Sequence, residues 1–399
     1  MKSIFKFELL VFFSLILYQN VCISQSVTKT MSKLPDTGQN QSFSAVYGED
    51  ADYQINVPYF LLNADGTVTD TVTGLMWQQV DGGEMTFERA TEYCTNLRLG
   101  GYSDWRLPSA QEAFSILNHG RQNPPLDVKI FPISGAEYWW TGELQKGSTT
   151  KVWVTNAGGG IGNHPKNETI IAGGIKKIHV RAVRDIHGPQ EIPAHFIISD
   201  SIVTDVLTGL EWQRFVTSDF MEWEEALRRA ENLVLQGHTD WRLPNIKELE
   251  SINDEDRLQP SVQEYYFPEL GINKYWSSTS LPNQTNEGWF MQTEFGVISH
   301  ESKATKNKIL CVRGGINPIL QNGNIAENVT LQVLSNVFSQ FIRTTFRNNN
   351  IDFHLIDSRG INIYRGKNID AQDFSSLSSG VYYLITAGDQ NKSFKLIKI

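Results

Sequence analysis

The chain has 399 residues, of which 40% are hydrophobic and 11% aromatic, so its composition excludes wholesale disorder and is typical of two or three globular domains. The formal net charge is −9 at pH 7, and no segment collects the lysines and arginines that a phosphate backbone requires, which argues against nucleic acid as a partner. Basic and acidic side chains sum to −1 over residues 59–185, to −8 over 196–314 and to +3 over 329–399.

The start of the chain predicts export. Lys2 and Lys6 precede an apolar run, Leu9–Tyr18, that is too short to span a bilayer and is typical of a signal peptide, which we place at residues 1–25. No later run reaches membrane-spanning length, so we expect no transmembrane segment. Residues 26–58 are polar and lack a sustained period, and we predict a linker there.

A long internal repeat follows. Asp104–Pro108, with the sequence DWRLP, recurs letter for letter as Asp240–Pro244, and 11 of the 22 positions in 87–108 and 223–244 are identical. A repeat of this length indicates two copies of one domain. We place the first module at residues 59–185 and the second module at residues 196–314, and we expect each to fold by itself.

In each module, signals for two helices precede signals for several strands. Thr86 can cap the first helix, and Ser109-x-x-Glu112 is a capping box for the second. The second module repeats this box as Asn245-x-x-Glu248. Later runs alternate apolar residues with turn residues, so we predict an α+β module with two helices and an antiparallel sheet.

The last segment, residues 329–399, changes character. Strand-like alternation at Ile351–Leu355 and at Leu377–Leu384 is separated by turn residues. This pattern predicts a small all-β sandwich at the C-terminal end.

Each module resembles the Lcl C-terminal domain family. The shared motifs are TGLxWQ (Thr73–Gln78 and Thr208–Gln213), DWRLP with a glutamate four residues after the proline, a Tyr-Trp pair (Tyr138-Trp139 and Tyr275-Trp276), and a closing Val-Arg. The resemblance implies two tandem modules related to the C-type-lectin-like fold. It also implies adhesion or ligand binding at a cell surface, with no established enzymatic reaction.

The tail resembles the type IX secretion sorting domain. The resemblance lies in Leu377-Ser-Ser-Gly-Val-Tyr-Tyr and in the apolar end Lys395–Ile399, whereas the usual Asn-Pro near the start reads Asn336-Val337. It implies the type IX secretion machinery as a partner, and a secreted or cell-surface protein that has crossed the outer membrane.

The duplicated tryptophans have two possible roles. They could form a platform on which sugar rings stack, or fill the cores, because a large aromatic buries about 150–250 Å². We assign Trp77, Trp105, Trp212 and Trp241 to the cores. Trp140 and Trp223 have no copy in the other module, so we expect them to be exposed and name them as candidate ligand contacts.

Two further groups are candidate binding residues. Arg106 and Arg242, from the DWRLP copies, either face a carboxylate or sulfate ligand or hold a structural turn through backbone carbonyls and the nearby aspartate. The stretch Asn253–Asp256 either supplies hard oxygen ligands for calcium or is a solvated acidic turn.

The two cysteines outside the signal peptide, Cys94 and Cys311, lie in different modules. Members of the family commonly carry a helix-to-strand pair within one module, and here each module keeps one half of it. Either both thiols are small buried hydrophobic groups, or they form a disulfide across the modules.

Motifs that mark common enzymes, such as HExxH or a nucleophile elbow, do not occur in the sequence. We therefore expect a non-enzymatic binding or adhesion protein for an extracellular glycan, matrix polymer or protein ligand. Two modules on one chain would raise the avidity for such a ligand. The alternative is a secreted hydrolase or modifying enzyme on a related fold.

Overall fold

The computed structural model describes residues 27–132, 137–167, 169–170, 176–192, 194–314, 337–342, 352–359, 361–367, 369, 372–387 and 393–399. The signal peptide predicted at 1–25 lies outside the described residues, as does the stretch 315–336 between the second module and the tail. Within the described part, no helix combines the length and apolar character needed to cross a membrane.

The two modules share two helices and seven strands in the same order, which agrees with a duplicated domain. Each has a four-stranded antiparallel sheet that its last strand completes. In sheet order the strands are β10 (Val183–Asp185), β4 (Leu75–Gln78), β3 (Thr67–Asp70) and β2 (Phe60–Leu62) in the first module, and β18 (Val312–Gly314), β14 (Leu210–Gln213), β13 (Ile202–Asp205) and β12 (Phe196–Ser199) in the second. The turns before β4 and β14 need glycine, because Gly74 and Gly209 have φ of 73° and 75°.

Each module has two helices, as the capping signals predict. They are α1 (Phe87–Asn96) and α2 (Ala110–Ser115) in the first module, and α3 (Trp223–Glu231) and α4 (Ile246–Glu250) in the second. Reciprocal capping boxes are formed at Ser109 and at Asn245, so these two predictions are confirmed. The short helices and predominant strands are consistent with the α+β class.

One six-stranded sheet runs through both modules. Its strands, in sheet order, are β15 (Lys274–Ser280), β16 (Glu287–Gln292), β17 (Val297–Ser302), β7 (Ile161–Pro165), β6 (Lys151–Thr155) and β5 (Trp139–Leu144). The modules meet where Ile298 of β17 pairs with Ile161 of β7. The first module also has a small hairpin of β8 (Thr169–Ile170) and β9 (Lys176–Lys177). Strands β15 and β5, which occupy equivalent positions in the two modules, are therefore the two edges of the shared sheet.

The modules also share a hydrophobic core and reciprocal hydrogen bonds. Trp153 of the first module and Trp289 of the second belong to one buried cluster that contains residues of both. The Lys247 ammonium of α4 donates to the carbonyl oxygen of Ser115 in the first module (2.6 Å). At the equivalent positions, the Gln111 amide donates to the carbonyl oxygen of Ser251 (3.4 Å). Such reciprocal contacts are typical of the interface of a twofold-symmetric dimer, so the modules are not separate globules as the repeat alone suggested.

The segment predicted to be a linker is ordered and packs against both modules. Its first strand, β1 (Val27–Lys29), pairs with β11 (Gln190–Ile192), which connects the modules. Farther along, the backbone N–H of His119 donates to Thr37, and the side chain of Gln39 bonds to Ser280 of β15. We call residues 27–58 the strap. A single 3₁₀ turn, Asp50–Asp52, lies within it.

The described residues of the tail form one five-stranded sheet. In sheet order its strands are β19 (Val337–Phe338), β23 (Ser393–Lys398), β22 (Gly380–Ala387), β20 (Asp352–Asp357) and β21 (Asn362–Gly366). Phe353, Leu355 and Leu384 contribute to its separate buried cluster. The described strands of the tail agree with the predicted β-structure, but among the described residues one sheet is present and not the two facing sheets of a sandwich.

Candidate ligand-binding site

All ten tryptophans are buried, and none is more than 4% exposed. The assignment of Trp77, Trp105, Trp212 and Trp241 to the cores is confirmed. A stacking platform needs an accessible ring face, so none of the tryptophans can supply one in this structure.

The expected exposure of Trp140 is wrong because that residue does have a copy. The Trp140 indole N–H donates to the carbonyl oxygen of Met85 (2.9 Å), and the Trp276 indole N–H donates to that of Met221 (3.1 Å). Trp140 and Trp276 are therefore equivalent, and the Tyr-Trp alignment is out of register by one residue. Trp140 is 1% exposed.

The expected exposure of Trp223 is also wrong. Trp223 begins α3, is 0% exposed, and donates its indole N–H to the carbonyl oxygen of Ser277 (2.8 Å). The Lys303 ammonium lies 3.8 Å from the centre of its ring. Phe87 takes the equivalent position in the first module and packs edge-on against Trp140.

The arginines of the DWRLP copies bind the capping-box glutamates. Arg106 holds both carboxylate oxygens of Glu112 (2.6 and 2.8 Å) and also Asp185 (2.9 Å). Arg242 holds both oxygens of Glu248, each at 2.6 Å. These bidentate pairs join each DWRLP segment to the start of the following helix, so the structural interpretation is favoured over a ligand-facing role.

Of the partners expected within the motif, the backbone carbonyls are confirmed, because Arg106 donates to the carbonyl oxygen of Leu107 (3.3 Å) and Arg242 donates to that of Leu243 (3.4 Å). The two aspartates pair with arginines outside the motif, because Asp104 bonds to Arg184 and Asp240 bonds to Arg313. Burial favours the neutral acid at Glu112, but the Arg106 guanidinium holds the Glu112 pKa below its usual range. The Arg242 side chain is only 4% exposed, which removes it from any binding surface.

The two cysteines are free and buried in different cores, so the disulfide across the modules is not formed. Cys94 packs with Ala182, and Cys311 packs with Ala230, which stand where a family pair would have its second cysteine. Burial raises the pKa of both thiols to about 12. They therefore behave as small hydrophobic groups with little thiolate character at neutral pH.

We predict that neither thiol reacts readily in the native protein and that both react after denaturation without reductant. The physical reason is that each side chain is 1% exposed and protonated. Titration with a chromogenic disulfide reagent, before and after adding guanidinium chloride, measures this. A denatured protein without titratable thiols would contradict the structure, and a reduced sample serves as the control.

The stretch considered for calcium forms a turn. The Asp254 carboxylate accepts hydrogen bonds from the backbone N–H of Asp256 and from the Gln263 side chain. Within the described residues, no group of three or more His, Cys, Asp or Glu side chains is arranged to hold a metal ion.

An open cleft on the second module lies between α3 and the loop before it. Its volume is about 520 Å³. The lining residues include one aromatic side chain and charges of both signs; they are Asp219, Phe220, Met221, Glu225, Arg228, Arg229 and Asn232. Phe220 is 52% exposed, and the Lys308 ammonium lies 5.5 Å from its ring centre. The cleft thus offers an accessible aromatic face beside carboxylates, guanidinium groups and an amide.

Several residues that line this cleft are not repeated in the first module. Glu84 stands in the place of Phe220, and the charges of two helix positions are reversed, with Arg89 at the position of Glu225 and Glu92 at that of Arg228. The cleft was missed because unmatched aromatic residues were sought among the tryptophans alone. The available signal was Phe220 itself, an unmatched aromatic among polar residues before a helix.

The modules match one family model twice. A model of the Lcl C-terminal domain matches residues 66–184 and again residues 201–313, which together exceed half of the chain. None of the curated proteins matches the chain. The chain belongs to the Lcl C-terminal domain family.

Proposed function

We propose that the protein binds an extracellular ligand without chemical conversion, and that the open cleft of the second module is the recognition site. The exposed Phe220 ring within this cleft carries the proposal. Exposed aromatics of this kind provide large contact area at low conformational cost, and polar side chains around them fix the orientation of the ligand.

The charges of the cleft favour a neutral or zwitterionic ligand, such as a glycan. Asp219 and Glu225 are matched by Arg228 and Arg229, so the lining has no formal net charge. Carboxylates, guanidinium groups and amides are the usual partners of sugar hydroxyls. The −8 balance of residues 196–314 disfavours sulfated or other strongly anionic polymers through electrostatic repulsion.

The same proposal includes a C-type-lectin-like classification of the modules, export by the predicted signal peptide, and passage through the type IX machinery by means of the tail. Two α-helices beside antiparallel sheets in each module, and the separate β-sheet of the tail, are consistent with it. A secreted or surface-attached protein with a cleft open to solvent would suit adhesion to a glycan, a matrix polymer or another protein.

One pair of side chains in the first module bears on the alternative of a secreted hydrolase. His179 and Asp81 form a pair in the first module, with 3.1 Å between Nδ1 and Oδ2. Asp81 also accepts from the Trp139 indole and lies close to the buried Arg181. Because these contacts hold Asp81 in the core, a structural role of the pair is favoured.

We expect Phe220→Ala to weaken binding of glycan-array ligands about tenfold, which corresponds to loss of one aromatic contact of about 1.4 kcal/mol. The full chain should be used, because the modules share a core. The matched control is Phe215→Ala, which removes another exposed aromatic of the second module, 41% exposed and outside the cleft. Unchanged binding by Phe220→Ala would contradict the proposed site, and release of shortened glycans would favour the hydrolase.

A further inference from the structure

The two edges of the shared six-stranded sheet differ in what covers them. At the β15 edge, Thr279 and Ser280 are 0% exposed. At the β5 edge, the equivalent residues are Glu143, which is half-buried, and Leu144, which is 42% exposed. The strap accounts for this difference, because it lies along β15.

The strap binds the β15 edge by replacing the hydrogen bonds of a neighbouring strand. The Gln39 amide donates to the carbonyl oxygen of Ser280 (2.9 Å) and accepts from its backbone N–H (3.1 Å). The Thr279 hydroxyl donates to the Asp50 carboxylate (2.5 Å). The Tyr53 ring lies 5.2 Å from the Arg242 guanidinium and helps to bury it. An extended segment thus occupies this edge through an amide, an acid and an aromatic side chain.

The β5 edge has the same backbone geometry. Leu144 pairs with Val152 just as Ser280 pairs with Gly288, and both strands carry the same register shift before that pair. The N–H and C=O of Leu144 therefore point away from β6, towards the side that the strap occupies on β15. The Arg106 side chain beside this edge is 35% exposed, whereas that of Arg242 is 4% exposed.

The charges along the two edges are different. At four equivalent positions of the repeat, the β5 edge has a carboxylate and the strap-covered β15 edge has an uncharged residue or a histidine. The carboxylates and their equivalents at the β15 edge are Glu143 and Thr279, Glu250 and Phe114, Glu255 and His119, and Asp256 and Gly120. Glu250 is 2% exposed, and its Oε1 finds no hydrogen-bond partner among the described residues. Burial and the nearby Glu143 carboxylate both raise the Glu250 pKa. A cation placed beside these groups would supply the missing partner.

We propose that the β5 edge binds an extended segment of a partner protein that carries a lysine or arginine. The backbone or an amide side chain of the segment would bond to Leu144, as Gln39 bonds to Ser280. Its basic side chain would lie at Glu143 and Glu250. This position corresponds to that of Asp50 on the β15 edge, where the strap places Asp50 against Thr279. An aromatic side chain of the segment would cover Arg106. Peptide addition to a sheet edge takes its affinity from main-chain hydrogen bonds and its specificity from side-chain contacts of this kind.

The test uses two synthetic peptides based on strap residues 36–55. One has the natural sequence, and the other carries Glu49→Gln and Asp50→Lys, so that a basic side chain meets Glu143 and Glu250. We expect the lysine peptide to bind the full-length protein at least about tenfold more tightly than the natural one, and less tightly as salt is raised. Fluorescence anisotropy of labelled peptides measures both affinities.

Two protein variants localise the binding. Leu144→Pro removes the outward N–H and is tolerated on a sheet edge. Glu250→Gln keeps the shape of the protonated side chain but cannot release a proton to form the carboxylate that would pair with the lysine. Both are expected to lower the affinity for the lysine peptide at least about tenfold, and Phe220→Ala is expected to leave it unchanged. Circular dichroism and tryptophan fluorescence verify that each variant is folded.

Three results would overturn the proposal. They are the absence of binding by the lysine peptide at about 1 mM, equal affinity for the two peptides, and unchanged affinity in both edge variants. A concentration-dependent dimer that is lost in Leu144→Pro would assign the edge to a second copy of this chain instead. Because the glycan test depends on Phe220, failure of either site leaves the result for the other intact.

Discussion

Replacing Arg242 with alanine is expected to lower the free energy of unfolding by about 3–5 kcal/mol, because it leaves the buried Glu248 carboxylate without its partner. Glu248 is 5% exposed, and both of its oxygens accept from the Arg242 guanidinium. The substitution also removes the group that Tyr53 of the strap covers. Urea denaturation, followed by tryptophan fluorescence, measures the loss.

The duplicated module supplies the matched control. Arg106→Ala removes the equivalent side chain, but that side chain is 35% exposed, so water can reach the vacated site. Solvation of the remaining carboxylates makes the expected loss clearly smaller. If the two variants lost equal stability, burial by the strap would not be the cause of the difference.

We expect Glu250 to make the free energy of unfolding depend on pH. Burial, followed by the charge of Glu143, raises the Glu250 pKa from 4.5 to about 8, so the folded protein holds a proton there that the unfolded chain releases. The stabilisation that protonated Glu250 contributes is fully present below the pKa of this group in the unfolded chain. It is lost as the pH rises through the pKa of the group in the folded protein. Glu250→Gln mimics the protonated acid without titrating. At about pH 8.5 this variant is expected to be more stable than the unchanged protein by on the order of 3 kcal/mol, and the advantage should vanish near pH 4.

Urea denaturation of both proteins at several pH values between about 4 and 9 tests this dependence, and taking the difference cancels the other titrating groups. Glu92→Gln, an exposed position on α1, is the control and should show no such trend. A constant difference between Glu250→Gln and the unchanged protein across this range would show that Glu250 does not titrate in the way its surroundings imply.

Local chemistry made much of each module predictable. The capping boxes at Ser109 and Asn245 depend on residues three positions apart, so their signal lies within one turn of helix. The DWRLP copies mark equivalent places in the two folds, and their tryptophans, Trp105 and Trp241, are in the cores as expected.

Features that join distant residues could not be predicted in the same way. The pairing of Ile161 with Ile298 depends on how two modules meet, and no periodic pattern in either strand encodes it. The strap reads as a linker because its contacts are mostly polar, as in the bonds of Gln39 to Ser280. The mistaken exposure of Trp140 came from a register one residue in error, which the equivalent hydrogen bonds of Trp140 and Trp276 and their equivalent strand pairings correct.

The candidate cleft could not be found from the repeat, because most of its lining residues differ between the modules. Equivalence between copies is evidence about the core, whereas Phe220 and Arg228 lie where the copies differ. The lack of a match does not by itself indicate exposure, because Trp223 is unmatched and fully buried, whereas Phe220 is unmatched and 52% exposed.

The reciprocal contact of Lys247 with Ser115 and of Gln111 with Ser251 has an evolutionary consequence. In an assembly of two identical subunits, any substitution alters both sides at once, and dilution separates the partners. Covalent fusion removes both constraints. One module can then change a residue or a surface that the other module keeps unchanged. The two modules of such a chain can therefore evolve different functions from identical starting sequences.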